Sequence, residues 1–353
     1  MGLPQIDIKF KSLAKSAIER GSKGIVALIL KDNKKTDGII SIESIKDIPE
    51  DLSEENRKQL ELAFKGGYKA PIKVIYVAID NTGKLEDGLN IMESEIWDFI
   101  AIPCLEDGEG EKVASWIKGL REDNIKVQAI LPNVKADNEG VINITTPTFK
   151  TKDKTYTSKE YASRFAGIFA GTPLNISATY FVLPEVLDVE HLRKKEEDER
   201  IDKGELIVIN DGEKCKIARA INSLTTIIEG KSEDYKKIKI VSTMDLVYRD
   251  IRKTFEDLYV GKFPNSYDNQ VAFTMSINAY LESLEKDGVL ARKQNNVYVD
   301  IDAISLYLKK KGIEISNMKK QDIEEIPIGA KLFLGGKLRI LDAMEDLQLI
   351  FEI

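Results

Sequence analysis

The sequence predicts an α/β protein, α+β overall, in which a small parallel-sheet domain is joined to a mixed α/β carboxyl-proximal domain and both chain ends run out as extended arms. Three observations predict this. Near-continuous apolar runs at 74–79, 99–102 and 126–131 are separated by stretches with helical spacing, the pattern of strands buried on both faces by crossover helices. From about residue 235 the pattern changes to long amphipathic helices followed by a short strand. At the two ends, Ile6, Ile8 and Phe10 alternate with Asp7 and Lys9, while Leu347, Leu349, Phe351 and Ile353 alternate with Gln348, Ile350 and Glu352. That is the period-two mark of a strand with one apolar face.

The elements follow in order. Residues 1–23 read as an arm, 24–155 as an α/β region, 156–234 as a connecting α/β region, 235–331 as a further domain and 332–353 as a strand arm. Residues 24–30 and 38–44 are strands about a turn-rich loop at Asp32-Asn33-Lys34-Lys35. Ser53 opens a helix with Leu60, Ala63 and Phe64 inward, stopped by Gly66-Gly67. Helices are expected at 88–97 and 109–120 between the three buried strands. Thr157 and Glu160 make a capping box for a helix that places Tyr161, Phe165, Ile168 and Phe169 on one face. Residues 188–203 form a solvated charged helix, with His191 a surface residue at its start, and Asp211-Gly212 turns a hairpin. Residues 238–241 read as a strand and Ser242 as the cap of a helix lined by Met244, Val247, Ile251, Phe255 and Leu258. A second helix presents Phe273, Ile277, Tyr280 and Leu284, and a strand at Val297, Val299 and Ile301 precedes a short helix at 304–310.

Composition narrows the function. With 353 residues and 42% apolar content the chain can bury more than one core. Its 52 basic against 59 acidic residues leave a net charge of −7 without a strongly basic block, which argues against a nucleic-acid binder. The helix-turn-helix-strand order after residue 242 superficially resembles a winged DNA-binding domain, but Asp245, Asp250, Glu256, Asp257, Asp268, Glu282, Glu285 and Asp287 surround its helices and oppose a phosphate backbone. The basic residues there better suit an acidic protein partner. No secretory leader and no membrane span is encoded, so cytosolic synthesis is expected. Cys104 and Cys215 read as incidental or buried thiols, and the lone His191 removes most histidine-based catalysis and zinc chemistry. At the strand ends, Asp80-Asn81 and residues 105–110 offer no phosphate-cradling glycine pattern, and Gly108-Glu109-Gly110-Glu111 puts carboxylates where a phosphate would sit. Asn222-Ser223-Leu224-Thr225-Thr226 has hydroxyls without a local base. No catalytic residue, cofactor or metal is expected.

The carboxyl end then carries the most information. Gly335-Gly336 and a plausible turn at Glu345-Asp346 precede the alternating residues 347–353. Burying four such side chains is worth roughly 1.5–3 kcal/mol each, and fixing seven residues costs about 1–2 kcal/mol each. The two nearly cancel, so the segment is stable only as part of a sheet. A closing strand in its own domain and a strand donated to another chain both fit the pattern. The amino end leaves the same choice between an edge strand and a connector.

Several separate segments, in order, carry a family resemblance. They are Tyr161-Ala162-Ser163-Arg164-Phe165-Ala166-Gly167-Ile168-Phe169-Ala170-Gly171-Thr172-Pro173, then Gly204-Glu205-Leu206 through Asp211, and Ala218-Arg219-Ala220-Ile221-Asn222-Ser223-Leu224-Thr225-Thr226. Residues 237–250, Ile251-Arg252-Lys253-Thr254-Phe255, Tyr259-Val260-Gly261-Lys262, Asn265-Ser266-Tyr267-Asp268-Asn269 and Leu338-Arg339-Ile340-Leu341-Asp342-Ala343-Met344-Glu345-Asp346 continue the match. Together they resemble the contractile tail sheath proteins of myophages, phage-tail-like bacteriocins and defective prophages of Gram-positive bacteria, and the resemblance covers nearly the whole chain and is strongest from about residue 156.

The resemblance implies a structural subunit without an active site: stacked hexameric rings wound helically around an inner tail tube, with baseplate and tail terminator proteins as further partners and neither nucleic acid nor membrane embedding. It implies synthesis in the bacterial host cytoplasm and release with the particle on lysis. The 24–155 region would face outward and 235–331 inward. The arms, through Ile6, Ile8 and Phe10 and through Leu347, Leu349, Phe351 and Ile353, would add strands to neighbouring subunits. Gly21, Gly24, Gly335 and Gly336 become hinge candidates, and Arg252, Lys253, Lys309, Lys310 and Lys311 candidates for tube contact. Two rival readings accompany it. One is a cytosolic ligand-binding protein or enzyme on the sheet of residues 72–132, which requires convergent polar groups at the strand ends; the other is a non-contractile shell or tube protein with a single lattice state.

Overall fold

The computed structural model describes Ile18, Gly21 and residues 23–352. The expected arm residues Ile6, Ile8, Phe10 and Ile353 lie outside the described residues. Two compact units divide the chain: one takes in 23–246 and 342–352, the other 247–341 with Ile18 and Gly21.

The larger unit runs β1 (Ile25–Asp32), β2 (Ile40–Ile42), α1 (Glu54–Phe64), β3 (Lys73–Asp80), α2 (Leu85–Met92), β4 (Phe99–Ala101), α3 (Glu109–Glu122), β5 (Gln128–Pro132) and β6 (Val141–Ile144). Then come β7 (Thr148–Lys150), β8 (Thr155–Thr157), α4 (Ser158–Ala170), β9 (Asp188–Val189), α5 (Lys194–Asp202), β10 (Glu205–Leu206), β11 (Val208–Asn210) and β12 (Cys215–Ile217). Its main sheet has the order β10-β6-β5-β4-β1-β3-β2 and is parallel except where β2 pairs with β3. Successive side chains of β1 point to opposite faces. Val26, Leu28 and Leu30 join a core with α1 and α4, whereas Ala27 and Ile29 join a second core with Trp97, Val113 and Ile117. Both faces are therefore buried, which is why these strands read as apolar runs and not as alternation.

The sheet is wider than the sequence predicts. Three strands are legible at 72–132, but β1 is inserted between β4 and β3 and β10 closes the far edge. For the same reason the expected boundary at 155/156 falls inside a single unit. α4 packs along α1 and over β4 and β5, and its Gly167 sits so close to α1 that a Cβ there would stand 2.1 Å from the Ala63 carbonyl oxygen. The Thr157–Glu160 capping box starts α4 as expected, and the Asp211-Gly212 turn joins β11 to β12.

α6 (Ile238–Thr254) corrects another expectation. Residues 238–241 are its first turn and not a strand, and Ser242 is no cap; its hydroxyl accepts a hydrogen bond from Gln128 Nε2 at 3.0 Å inside the structure. Ile238, Ile240 and Val241 are all buried, so burial outweighs their β-branched preference. The division of the chain falls within this helix, at 246/247 and not near 235.

In the smaller unit a π-helical turn (Phe255–Tyr259) follows α6, then α7 (Tyr267–Lys286), β13 (Asn296–Val299), α8 (Ile301–Lys310), α9 (Lys320–Glu325) and β14 (Leu334–Lys337). Ile301 thus begins a helix capped by Asp300, whose carboxylate accepts from Ala303 N–H at 2.9 Å. β13 and β14 pair antiparallel, with Val297 opposite Gly336 and Tyr298 opposite Gly335. Val299, Ile304, Leu308, Ile315, Ile323 and Ile328 form the core beneath them.

Candidate functional site

The crevice beyond the carboxyl ends of the parallel strands is where a ligand would bind on such a sheet. Several of its polar groups are already engaged. Asp32 accepts from Ser53 N–H at 3.0 Å and from Asn56 Nδ2 at 2.7 Å. Burial alone would raise its pKa, but these bonds and one from Lys34 N–H bring it down to about 2. Asp80 takes the hydroxyl of Thr82 at 2.6 Å and its amide at 2.9 Å. Lys31 is paired with Glu106, and the Glu109 carboxylate accepts from Glu106 N–H at 2.7 Å. The cavity of about 430 Å³ between α3 and α4 is rimmed by Glu106, Asp107 and Glu111, the wrong charge for a phosphate.

Other sequence-level candidates are structural as well. Thr225 and Thr226 donate to Asp137, a partner some 88 residues away that local reading does not supply. His191 is exposed, with Nε2 2.9 Å from Asp188 Oδ1. α5 has no buried residue, yet its Arg200 reaches inward to Glu205 at 2.9 Å and to the Thr145 hydroxyl at 2.6 Å. Cys104 and Cys215 are free thiols, and burial pushes Cys104 up to about 11. Among the described residues no group of three or more His, Cys, Asp and Glu is placed to hold a metal ion, and no helix is long and apolar enough to cross a membrane.

What stands uncovered is the carboxyl end. Leu347 is 88% exposed and Phe351 79%, with Leu349 and Ile350 also exposed, and no ladder bond forms along residues 342–352. The strand expected there has no partner strand among the described residues. Its root is held instead by charges: Arg219 reaches Asp346 at 2.6 Å and Glu345 at 3.8 Å, and Lys237 pairs with Asp342.

The hinge candidates have definite surroundings. Gly335 and Gly336 lie within β14, not in a free linker, and a Cβ on Gly336 would come 2.7 Å from the Asn296 carbonyl oxygen. They are small because a paired strand approaches closely. Gly24 has φ +117° and donates its amide to Asp98 at 2.6 Å; at Gly21 a Cβ would meet the Asp250 carboxylate at 2.4 Å. Of the basic candidates, Arg252 is paired with Glu256 at 2.7 Å and Lys253 with Asp257, each one helical turn on. Lys309 and Lys310 end α8 and Lys311 caps it; no ion pair to a carboxylate is formed by them among the described residues, and Lys311 Nζ stands 5.9 Å from the Tyr307 ring centroid.

Comparison with known proteins agrees with an architecture whose uncovered feature is an apolar tail. Residues 81–223 match the phage tail sheath protein central domain and 230–316 the phage tail sheath C-terminal domain. The chain is 37% identical over 354 residues to a tail sheath protein of Clostridium phage phiCD119, spanning 99% of this chain and 98% of that one. It is 29% identical over 236 residues to the phage-like element PBSX protein XkdK of Bacillus subtilis, of which it spans about half the length. Two solved structures share the fold: the anti-feeding prophage helical sheath in its contracted state, with TM-score 0.72 and 14% identity over 100% of this chain and 99% of that one, and a sheath tail protein of Desulfitobacterium hafniense, with TM-score 0.69 and 17% identity over 84% and 94%. Fold and relatives together define a structural protein of phage-tail particles. The chain belongs to the phage tail sheath protein family.

Proposed function

We propose that the chain is the subunit of a contractile sheath: copies stack as hexameric rings wound helically around an inner tail tube on a baseplate, and contraction drives the tube through the target cell envelope. A tail terminator closes the stack, and the particle is made in the host cytoplasm and leaves on lysis. The observation that carries this reading is the 37% identity to a phage tail sheath protein along 99% of the chain. The exposed apolar residues Leu347, Leu349 and Phe351 add a physical reason for polymerisation. An apolar strand without a ladder is stabilised by joining another chain's sheet edge, which supplies main-chain bonds and covers its face. With Ile353, and with Ile6, Ile8 and Phe10 at the other end, these residues would form the mesh between subunits. Arm flexure is assigned to Gly21 and Gly24, with Gly335 and Gly336 keeping β14 against β13. The tube-facing charge is assigned to Lys309, Lys310 and Lys311 ahead of Arg252 and Lys253, whose charges Glu256 and Asp257 already balance. Removing residues 347–353 tests the reading: a folded, soluble chain that no longer sediments as tubes is expected, and normal tubes from the truncated chain would refute it.

A further inference from the structure

Arg219, Lys237 and Lys239 come together because two distant stretches meet edge to edge. Ile221 bridges Lys237, Ile238 N–H donates to the Ala220 carbonyl at 3.2 Å and Asn222 N–H to the Lys236 carbonyl at 2.9 Å. Three cations are thereby set side by side on the larger unit, where α6 begins. Lying against them is the acidic stretch at 342–346. Asp342 pairs with Lys237, Asp346 takes Nη2 of Arg219 at 2.6 Å, and Glu345 stands 3.8 Å from its Nε. The Glu345 side chain is only 9% exposed. Lys239 is itself buried; burial lowers its pKa, and Asp342 and Glu345 act in the opposite direction. Met344, the one large apolar side chain of this stretch, is fully exposed and adds nothing to the hold.

We propose that Arg219, Lys237 and Lys239 form a receptor for an acidic peptide, occupied by residues 342–346 of the same chain, and that this charged latch fixes the point from which the carboxyl-terminal arm departs. The proposal rests on the reading of that arm as a donated strand. While the latch is closed the free arm begins after Asp346. Once it opens, the free arm begins after Leu341, whose amide is bonded to the Val289 carbonyl at 2.9 Å. The difference is five residues, about 16 Å of extended backbone, so one tail has a short and a long reach. A hold made only of partly exposed ion pairs is weak and screened by salt, which suits a tether that must lengthen when neighbouring copies move.

The latch can be read on the unassembled chain with a glutamyl endopeptidase, because cleavage after Glu345 requires that residue to leave the cradle. The double reversal R219E/K237E should speed this cleavage about three- to thirtyfold at low salt, as expected for losing about two or three such pairs when cleavage follows the open population. Raising salt on the unaltered chain should move the rate in the same direction. Adding D342K/D346R to the reversed chain should slow it again. A rate indifferent to both salt and R219E/K237E, or a fourfold variant that cleaves as fast as the double one, would overturn the latch. Strand donation is read separately, by sedimentation of the chain lacking 347–353, so either idea can fail alone.

Discussion

Replacing Arg121 by methionine isolates a buried charge of the larger unit. Arg121 Nη1 and Nη2 form a two-pronged pair with Asp245 at 2.9 and 3.0 Å, and Nη1 also donates to the Val127 carbonyl at 2.9 Å. Both side chains are nearly closed to solvent, with Glu139 3.8 Å from Nη2. Burial pushes the Asp245 carboxyl up while the guanidinium pulls it down. Burial lowers Arg121 too, but Asp245 more than compensates. Arg121→Met removes the counter-charge and leaves Asp245 enclosed, which costs about 3–5 kcal/mol for a broken buried pair. Pairing it with Asp245→Leu removes the stranded charge, and the double variant should lose only about 1 kcal/mol, mostly the bond to Val127.

The pH dependence has a definite sign. In Arg121→Met the folded pKa of Asp245 rises further above its unfolded value of about 3.9. A carboxyl raised in the folded state favours folding when protonated, so the deficit is smallest near pH 4 and grows as pH rises toward the elevated folded pKa. Lys126, whose pKa is lowered by burial and by the Arg121 charge, and Lys231, 2.8 Å from Glu139, are the neighbouring cations. Urea unfolding at pH 4.5 and pH 8 for the wild type, the single and the double variants measures both effects. A single variant that loses less than about 1 kcal/mol at pH 8, or a double variant as damaged as the single one, would refute the assignment of stability to the pair.

Two further outcomes follow from the packing. Gly167→Ala should destabilise by about 1–3 kcal/mol or more, because its new methyl group must displace α1 backbone at Ala63, whereas Gly119→Ala on the open face of α3 should be neutral or stabilising by about 0.5–1 kcal/mol; thermal melts of the two side by side check this. Asp32→Ala strands the Ser53 and Asn56 donors and should cost about 1–3 kcal/mol at neutral pH. Since the Asp32 pKa is depressed to about 2, its contribution is complete above about pH 4 and vanishes as pH falls toward 2, so acid titration of the two chains should converge there.

How much could be read in advance depended on how local the cause was. The apolar runs of β3, β4 and β5, the Thr157–Glu160 box and the Asp211-Gly212 turn are set by residues within one element, and the structure has them where the pattern puts them. The place of β1 between β4 and β3 was not legible, because sheet order is decided by crossovers and not by any strand's own residues. α6 was misread at its start because Ile238, Ile240 and Val241 are buried together, which erases the helical period. Asp245 was read as an acid discouraging DNA; its partner Arg121 lies 124 residues earlier. The cradle for the tail was invisible for the same reason, since Arg219 and Asp346 are 127 residues apart.

The contrast between these two charge clusters orders the molecule mechanically. Arg121 and Asp245 are shielded from water and salt, and their pairing ties the first half of α6 to α3, which packs on β5. Arg219 and Asp346 sit where ions reach them, the latter 80% exposed, and their pairing contributes little more than a preferred starting point for the tail. Beyond that point Leu347, Leu349, Ile350 and Phe351 face water, and covering apolar side chains of this size is worth roughly 1.5–3 kcal/mol each before any ladder bond is counted. On the reading of residues 347–353 as a donated strand, a neighbour's sheet edge would hold the tail more strongly than the latch does. A subunit of the proposed kind would then give up a weak internal contact while keeping a strong external one, which is the order of strengths a lattice needs if its members are to move without separating.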